Sequence, residues 1–224
     1  MKLTLPQQDI YFEQLLYPED PIYNIGAKIR IEGPLHIPVF QQAYRHLIEQ
    51  HDTFRTVFRR VGESVEAQVL DTPVEPLEYL DRSAEGEDFV LDFMQREFVK
   101  PFDLLGNRFL HRFILIQVEP ELHYLFSVYH HIITDGWGTS LMFQRLVSNY
   151  NELLEAGAVT TAYPFSYNTF AEDDELYRQS AAYQEDQAFW LEKFSELPEN
   201  LFEARNRQVD KSNRSARKEL YIPR

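Results

Sequence analysis

Two apolar segments joined by a turn constrain the fold of this chain most strongly. The segments RFLHRFILIQV (108–118) and ELHYLFSVYHHII (121–133) are rich in branched and aromatic residues, a composition typical of strands. Turn residues around Glu119 and Pro120 separate the two segments. The sequence therefore predicts two consecutive strands, and any fold for this chain must contain a sheet.

Apolar alternation predicts further strands on the N-terminal side of this pair. In AKIRIEG (27–33), apolar residues alternate with charged ones, as in a half-buried strand. The segments FRTVFRR (54–60) and SVEAQVL (64–70) flank Gly62 and Glu63, a spacing that predicts a β-hairpin.

Helical periodicity predicts helices over residues 5–16, 38–51, 83–99, 140–157 and about 170–195. The second of these helices carries Phe40, Ala43, Tyr44, Leu47 and Ile48 on its apolar face. The fourth carries Met142, Leu146, Tyr150, Leu153 and Leu154 on one face, with Gly157 as its predicted C-cap. Helices and strands interleave without a regular βαβ rhythm. This pattern predicts an α/β (α+β) two-layer sandwich with a mixed sheet packed by helices.

Composition excludes several functional classes. The formal net charge is −14, which opposes binding to nucleic acid or to anionic lipid. There is no cysteine, so disulfides, thiolate zinc sites and a cysteine nucleophile are excluded. Neither a signal-peptide pattern nor a run of about 20 apolar residues is present, so we expect a soluble cytoplasmic protein. The basic segment 205–224 is interpreted as a linker rather than a nucleic-acid arm.

The segment SVYHHIITDGWG (127–138) is the main candidate for a functional site. Two adjacent histidines, His130 and His131, are followed shortly by Asp135 and Gly136. Successive side chains of a strand face opposite ways, which places His130 on a mostly apolar face and His131 on a mixed one. His131 is therefore the candidate general base in a cleft, with His130 as its support.

Asp135 and Gly136 have several possible roles in this pattern. Asp135 can orient the imidazole, pair with an arginine or cap the following helix. Gly136 allows a substrate to approach the backbone, and its N–H can donate to a developing oxyanion. A purely structural interpretation, in which one histidine is a core residue and Asp135 only a cap, is the alternative.

Other chemistries have less support. Adjacent histidines on a strand point apart, and no HExxH motif or carboxylate cluster lies nearby, so no metal site is expected. The sequence lacks GxSxG, GxGxxG and GxxxxGK[ST] motifs, which argues against a serine hydrolase and against nucleotide phosphate binding.

The motif and its surroundings resemble a known family. YHHIITDGWG resembles the HHxxxDG signature of condensation domains of nonribosomal peptide synthetases, in the chloramphenicol-acetyltransferase-like superfamily. HDTFRTVF resembles the family's HExLRTxF segment, with Asp52 and Phe54 as departures, and KPFDLLGNRFLHRFIL resembles PFDLxxGPLxR. YNTFAEDDELY stands where the family has YxDFAxW, with threonine and aspartate in place of the usual acid and tryptophan. The similarity spans nearly the whole chain.

The resemblance implies amide-bond formation between two carrier-bound thioester substrates. The substrates would arrive on the phosphopantetheine arms of a donor and an acceptor peptidyl carrier protein, with no cofactor bound directly. His131 matches the family's catalytic histidine, which acts as a base or orients the attacking amine. His130, Asp135 and Gly136 match positions that shape the site. Asp135 is expected to pair with an arginine, for which Arg55 is the candidate.

The family's catalytic unit has two similar lobes with a tunnel between them, and this sequence holds motifs of the first lobe. We therefore expect residues 1–200 to form the N-terminal lobe and residues 201–224 to lead towards a second lobe. The isolated lobe is expected to be inactive or nearly so, and to expose an apolar face that allows self-association. The alternatives are a lobe of an epimerisation domain and a non-catalytic carrier-docking module of the same fold.

Overall fold

The computed structural model describes residues 1–71 and 73–196. The helices are α1 (Leu5–Leu16), α2 (Ile37–Gln50), α3 (Glu87–Phe98), α4 (Gly136–Ala156), α5 (Tyr167–Arg178) and α6 (Ala181–Lys193). The strands are β1 (Asn24–Glu32), β2 (Thr56–Val61), β3 (Ser64–Val69), β4 (Glu78–Asp81), β5 (His111–Glu119) and β6 (Leu122–His130). A short 3-10 helix, Asp52–Arg55, connects α2 to β2.

A four-stranded sheet forms the centre of the fold. Its strand order is β1-β6-β5-β4, in which β4 runs parallel to β5 and the other neighbours are antiparallel. The strands β2 and β3 form a separate hairpin, with Gly62 in the left-handed conformation at its turn. The two apolar strands, the hairpin and the α/β class with a mixed sheet packed by helices are confirmed. The short strand β4 was not predicted.

Helices cover both faces of this sheet. On one face, the Phe113 ring contacts that of Tyr44 in α2, and the Tyr129 hydroxyl donates to Thr139 of α4 at 2.9 Å. On the other face, Tyr124 donates to the Glu87 carboxylate of α3. The sheet therefore lies between α2 and α4 on one side and α3 on the other, and every residue of β6 is buried.

Helix α2 buries the face that its sequence predicts. Its buried residues are Phe40, Ala43, Tyr44, Leu47 and Ile48, and Pro38 lies in its first turn, where a missing N–H costs no hydrogen bond. The face predicted for α4 is partly wrong. Leu154 is exposed, and Asn149 is buried in its place because its side-chain amide donates to the carbonyl of Ala43 in α2.

Helix α1 is present as predicted, but its buried residues are Gln7, Tyr11 and Gln14. Leu15 and Leu16 lie on the exposed side of the helix.

The single helix predicted over about 170–195 is wrong, because the structure has two helices there, α5 and α6. The hydroxyl of Ser180 accepts a hydrogen bond from the N–H of Tyr183 and so begins a new helix at Ala181. The chain divides into two compact units, Met1–Leu176 and Tyr177–Arg224. The predicted connecting segment 201–224 lies outside the described residues. No helix in the described part of the chain combines the length and apolarity needed to cross a membrane.

Candidate active site

His131 follows the last residue of β6 and lies in the wall of a cavity of about 490 Å³. Its backbone N–H donates to the carbonyl of Tyr23 at 2.8 Å, and its ring meets the Tyr23 ring edge-on, with 6.3 Å between centroids. The ring nitrogen Nδ1 is buried and has no hydrogen-bond partner among the described residues. A backbone hydrogen bond and the Tyr23 ring therefore hold His131 in the wall of the cavity.

His130 is buried on the opposite side of the strand, with 1% of its surface exposed. Its Nδ1 accepts a hydrogen bond from the backbone N–H of Ile132 at 3.1 Å, so the proton of the neutral ring is on Nε2. Nε2 lies 3.1 Å from the Oε1 of Gln14 and donates to it. Burial, and then the neighbouring His131, lowers the pKa of His130 to about 4. Both nitrogens of a neutral ring are thus occupied, and His130 cannot take a proton from a substrate.

The cavity wall is built from segments that are far apart in sequence. It combines the start of α1, the 3-10 helix after α2, the turn after β6 and the loop between α4 and α5. The residues that line it are Pro6, Gln7, Ile10, His51, Asp52, Thr53, Phe54, His131, Ile132, Ile133, Thr134, Asp135, Gly138, Leu141, Tyr163, Phe165, Ser166, Tyr167 and Phe170. Most of these side chains are apolar or aromatic, as in small-molecule sites that use a few polar groups for orientation.

Asp135 is the N-cap of α4. Its Oδ1 accepts a hydrogen bond from the N–H of Gly138 at 2.8 Å. A Cβ at Gly138 would lie 2.4 Å from the Oγ1 of Thr134, so a larger residue there would require the Thr134 side chain to move. A Cβ at Gly136 would meet nothing within 4 Å, and Gly136 starts α4 with an ordinary negative φ. The approach of a substrate to the backbone at Gly136 stays a prediction.

The predicted ion pair between Arg55 and Asp135 is wrong. The Arg55 guanidinium donates to the backbone carbonyls of Ile48, Glu49 and Leu70 at 3.2, 3.3 and 3.0 Å. The last carbonyls of a helix have no intrahelical partner, and Arg55 supplies the donors for the end of α2. No ion pair of Asp135 is found within residues 1–71 and 73–196.

His51 is a cavity residue that the sequence pattern did not identify. Its Nδ1 lies 3.0 Å from the carbonyl of Leu47, and its ring packs against the Tyr163 ring with 4.4 Å between centroids. Burial lowers the pKa of His51, so the ring is neutral near pH 7. Its place at the start of HDTFRTVF, a segment that resembles a family motif, was the available signal.

Asp52 connects two segments of the cavity wall through hydrogen bonds. Its carboxylate accepts hydrogen bonds from the hydroxyl of Ser166 at 2.5 Å and from the N–H of Tyr167 at 2.8 and 3.0 Å. A carboxylate at the first residue of α5 also suits the positive end of that helix. Among the described residues, no group of three or more His, Asp or Glu side chains is arranged to hold a metal ion.

A family model described as the condensation domain matches residues 1–222. This chain belongs to the condensation domain family. It is 33% identical over 226 residues to the dimodular nonribosomal peptide synthase of Bacillus subtilis (strain 168), covering 99% of this chain and 9% of that protein. It is 28% identical over 200 residues to the isonitrile lipopeptide synthase of Streptomyces coeruleorubidus, covering 88% of this chain and 14% of that protein.

Solved condensation domains share the fold. The starter condensation domain of rhizomide synthetase RzmA superposes with a TM-score of 0.81 at 30% identity, over 88% of this chain and 48% of that chain. A variant of that domain in complex with C8-CoA gives a TM-score of 0.79 at 30% identity, over 87% of this chain and 45% of that chain. The chain thus spans about half of these solved chains and a small part of the curated synthases.

Proposed function

We propose that this chain is one lobe of a condensation domain that joins two carrier-bound thioester substrates through an amide bond. One observation carries the proposal. In a motif that resembles HHxxxDG, His131 lines a cavity of about 490 Å³, whereas its neighbour His130 is buried and neutral. This difference in burial supports the assignment of His131 as the reactive residue and of His130 as its support.

In the proposed reaction, the acceptor amine attacks the carbonyl carbon of the donor thioester. A C–N bond forms, the C–S bond breaks, and a proton moves from the amine nitrogen to the departing sulfur. We assign to the Nε2 of His131 the hydrogen bond to the amine and the transfer of this proton. The N–H of Gly136, at the positive end of α4, would stabilise the negative oxygen of the tetrahedral intermediate. Asp135 would hold the turn between the two through its cap.

The proposed partners are a donor and an acceptor peptidyl carrier protein, each with a phosphopantetheine arm. Support comes from the related starter condensation domain, a variant of which is in complex with C8-CoA. Coenzyme A ends in the same phosphopantetheine group that a carrier protein bears. No further cofactor is needed, since aminolysis of a thioester involves no net oxidation or reduction.

A second lobe, from the same polypeptide or another, would complete the site. This chain matches 48% of the solved starter condensation domain. Large apolar side chains at and beside the cavity are also exposed, with Trp137 80% and Phe165 73% accessible. A second lobe would cover this apolar surface, and a lobe without that cover is expected to self-associate.

The test is a His131→Ala substitution in a polypeptide that contains the complete condensation domain. Loaded donor and acceptor carrier proteins are mixed with each variant, and the amide product is measured by mass spectrometry. We expect the rate to fall by at least about 100-fold, since positioned acid–base groups contribute that much or more. His46→Ala is the matched control, because His46 lies on the outer side of α2, where it faces Glu49.

Wild-type rates with His131→Ala would remove His131 from the mechanism. The same assay tests whether a second lobe is needed. Robust turnover by the 224-residue chain alone would contradict that need. A change of configuration at the carrier-bound substrate without amide formation would indicate epimerisation. Carrier binding without any product would indicate a docking module.

A further inference from the structure

The N-terminal helix α1 buries two glutamines beside Tyr11. Gln7 and Gln14 are each 4% exposed, whereas Leu16 is 72% exposed. Burying an amide side chain is unfavourable unless its polar atoms find partners. The two glutamines are seven residues apart, which is about two helical turns, so both point from α1 in the same direction.

Gln14 forms a hydrogen bond with His130, the residue that precedes His131. Its Nε2 donates to the carbonyls of Tyr17 and Asp20 at 2.5 and 3.1 Å. These two bonds leave Oε1 as the acceptor, and it receives the Nε2 proton of His130 at 3.1 Å. The amide of Gln14 is thereby satisfied at both ends and fixes the tautomer and the orientation of the His130 ring.

Gln7 forms a hydrogen bond with Ile132, the residue that follows His131. Its Nε2 donates to the carbonyl of Ile132 at 3.1 Å, and its Oε1 accepts from the N–H of Thr4 at 3.2 Å. The side-chain hydroxyl of Thr4 lies 3.0 Å from that of Tyr167, whose N–H is held by Asp52. The start of α1 is therefore tied to the opposite wall of the same cavity.

We propose that Gln7 and Gln14 are positioning residues that together fix the His131 ring in the cavity. They hold the two residues adjacent to His131 in sequence, one by its ring and the other by its carbonyl. The inference deepens the function proposed for His131 and rests on it. Reactive groups must be held to within a fraction of an ångström, and this requirement explains why α1 buries amides while its leucines face outwards.

The spectroscopic test uses the ¹⁵N-labelled 224-residue chain. Long-range ¹H–¹⁵N spectra of the imidazole rings are recorded, and His131→Ala identifies the signals of His131. Gln7→Met and Gln14→Met keep the side-chain length but remove the amide, and Gln144→Met is the control on the exposed side of α4. We expect the first two variants to shift the His131 ring signals, and the control to leave them unchanged.

A second readout is amide formation by the complete condensation domain with the same substitutions. We expect kcat to fall by on the order of 10- to 100-fold, the loss that a small misplacement of a reacting group produces, with KM nearly unchanged. If circular dichroism shows that a methionine variant is unfolded, Gln7→Asn and Gln14→Asn replace it. These keep an amide that is too short to reach its partners, and the same results are expected.

Unchanged His131 signals in folded Gln7 and Gln14 variants would overturn the proposal, even if His131→Ala abolishes amide formation. Shifted His131 signals together with wild-type activity of His131→Ala would instead overturn the proposed function and leave the positioning of the ring by α1 intact.

Discussion

Helices α1 and α2 have similar lengths but face different surroundings. Helix α2 packs apolar side chains against the sheet, and Leu47 on this face is fully buried. Helix α1 buries Gln7 and Gln14 beside Tyr11, and exposes Leu15 and Leu16. The two glutamines form hydrogen bonds with the His130 ring at the end of β6 and with the carbonyl of Ile132. The comparison indicates that the structure against which a helix packs determines which of its sides is buried. Apolar periodicity predicts the buried side of a helix that packs against the hydrophobic core. It does not predict the buried side of a helix that packs against polar groups.

The same substitution on each helix is the strongest test of this comparison. Leu47→Ala removes a fully buried side chain from α2, so we expect the free energy of unfolding to fall by about 2–5 kcal/mol. Leu16→Ala removes an exposed side chain from α1, and we expect a change within about 0.5 kcal/mol. Urea denaturation of the two variants measures both values. A loss at Leu16 as large as that at Leu47 would show that α1 is buried through its leucines.

A pH-dependent effect is expected on the α1 side, because burial lowers the pKa of His130 to about 4. An unfolded histidine takes up a proton near pH 6.5, whereas the folded ring stays neutral until about pH 4. Below about pH 6.5 the unfolded state therefore binds more protons than the folded state. The contribution of the neutral His130 ring to the free energy of unfolding is full above this pH and is lost as the pH falls below it. We expect His130 to account for a loss of about 2 kcal/mol between about pH 6.5 and 5.

This expectation is measured as the pH dependence of the free energy of unfolding. His130→Gln lacks the titrating ring and should show a shallower dependence than the wild type over this range. Identical curves for the wild type and His130→Gln would show that His130 is not held neutral in the folded chain.

The smallest effect is expected at two glycines in the first turn of α4. A Cβ at Gly138 would lie 2.4 Å from Thr134 Oγ1, while Gly136 has open space around the same position. We expect Gly138→Ala to lower the free energy of unfolding by about 1–2 kcal/mol and Gly136→Ala to change it by less than about 0.5 kcal/mol. The reverse order in thermal or urea denaturation would contradict the geometry of this turn.

Local sequence signals predicted much of the fold. Residue alternation gave the half-buried β1 and the hairpin, and helical spacing gave the buried face of α2. The same signals failed where a single side chain decides the structure. Ser180 ends one helix and begins another because its hydroxyl caps the new N-terminus, and a polar helical segment of this kind has no apolar pattern that marks such a break.

The sequence predicted the histidine pair of the candidate site but not the residues that distant segments contribute to it. Strand alternation separated His131 from His130, because both lie in or next to one regular strand. Distant contributions were missed, since His51, Tyr163 and Gln7 reach the cavity only through the tertiary fold. The pairing expected for Arg55 failed for a related reason, because the carbonyls that end α2 lie within its reach.

Formation of the amide bond beside His131 can be tested by direct observation of the bound acceptor. The measurement is a crystal structure of a complete condensation domain containing this chain, bound to an aminoacyl phosphopantetheine analogue in which an amide replaces the thioester. We expect the acceptor nitrogen within hydrogen-bond distance of the Nε2 of His131, about 2.6–3.2 Å. An acceptor nitrogen bound elsewhere, with the cavity beside His131 empty, would contradict it.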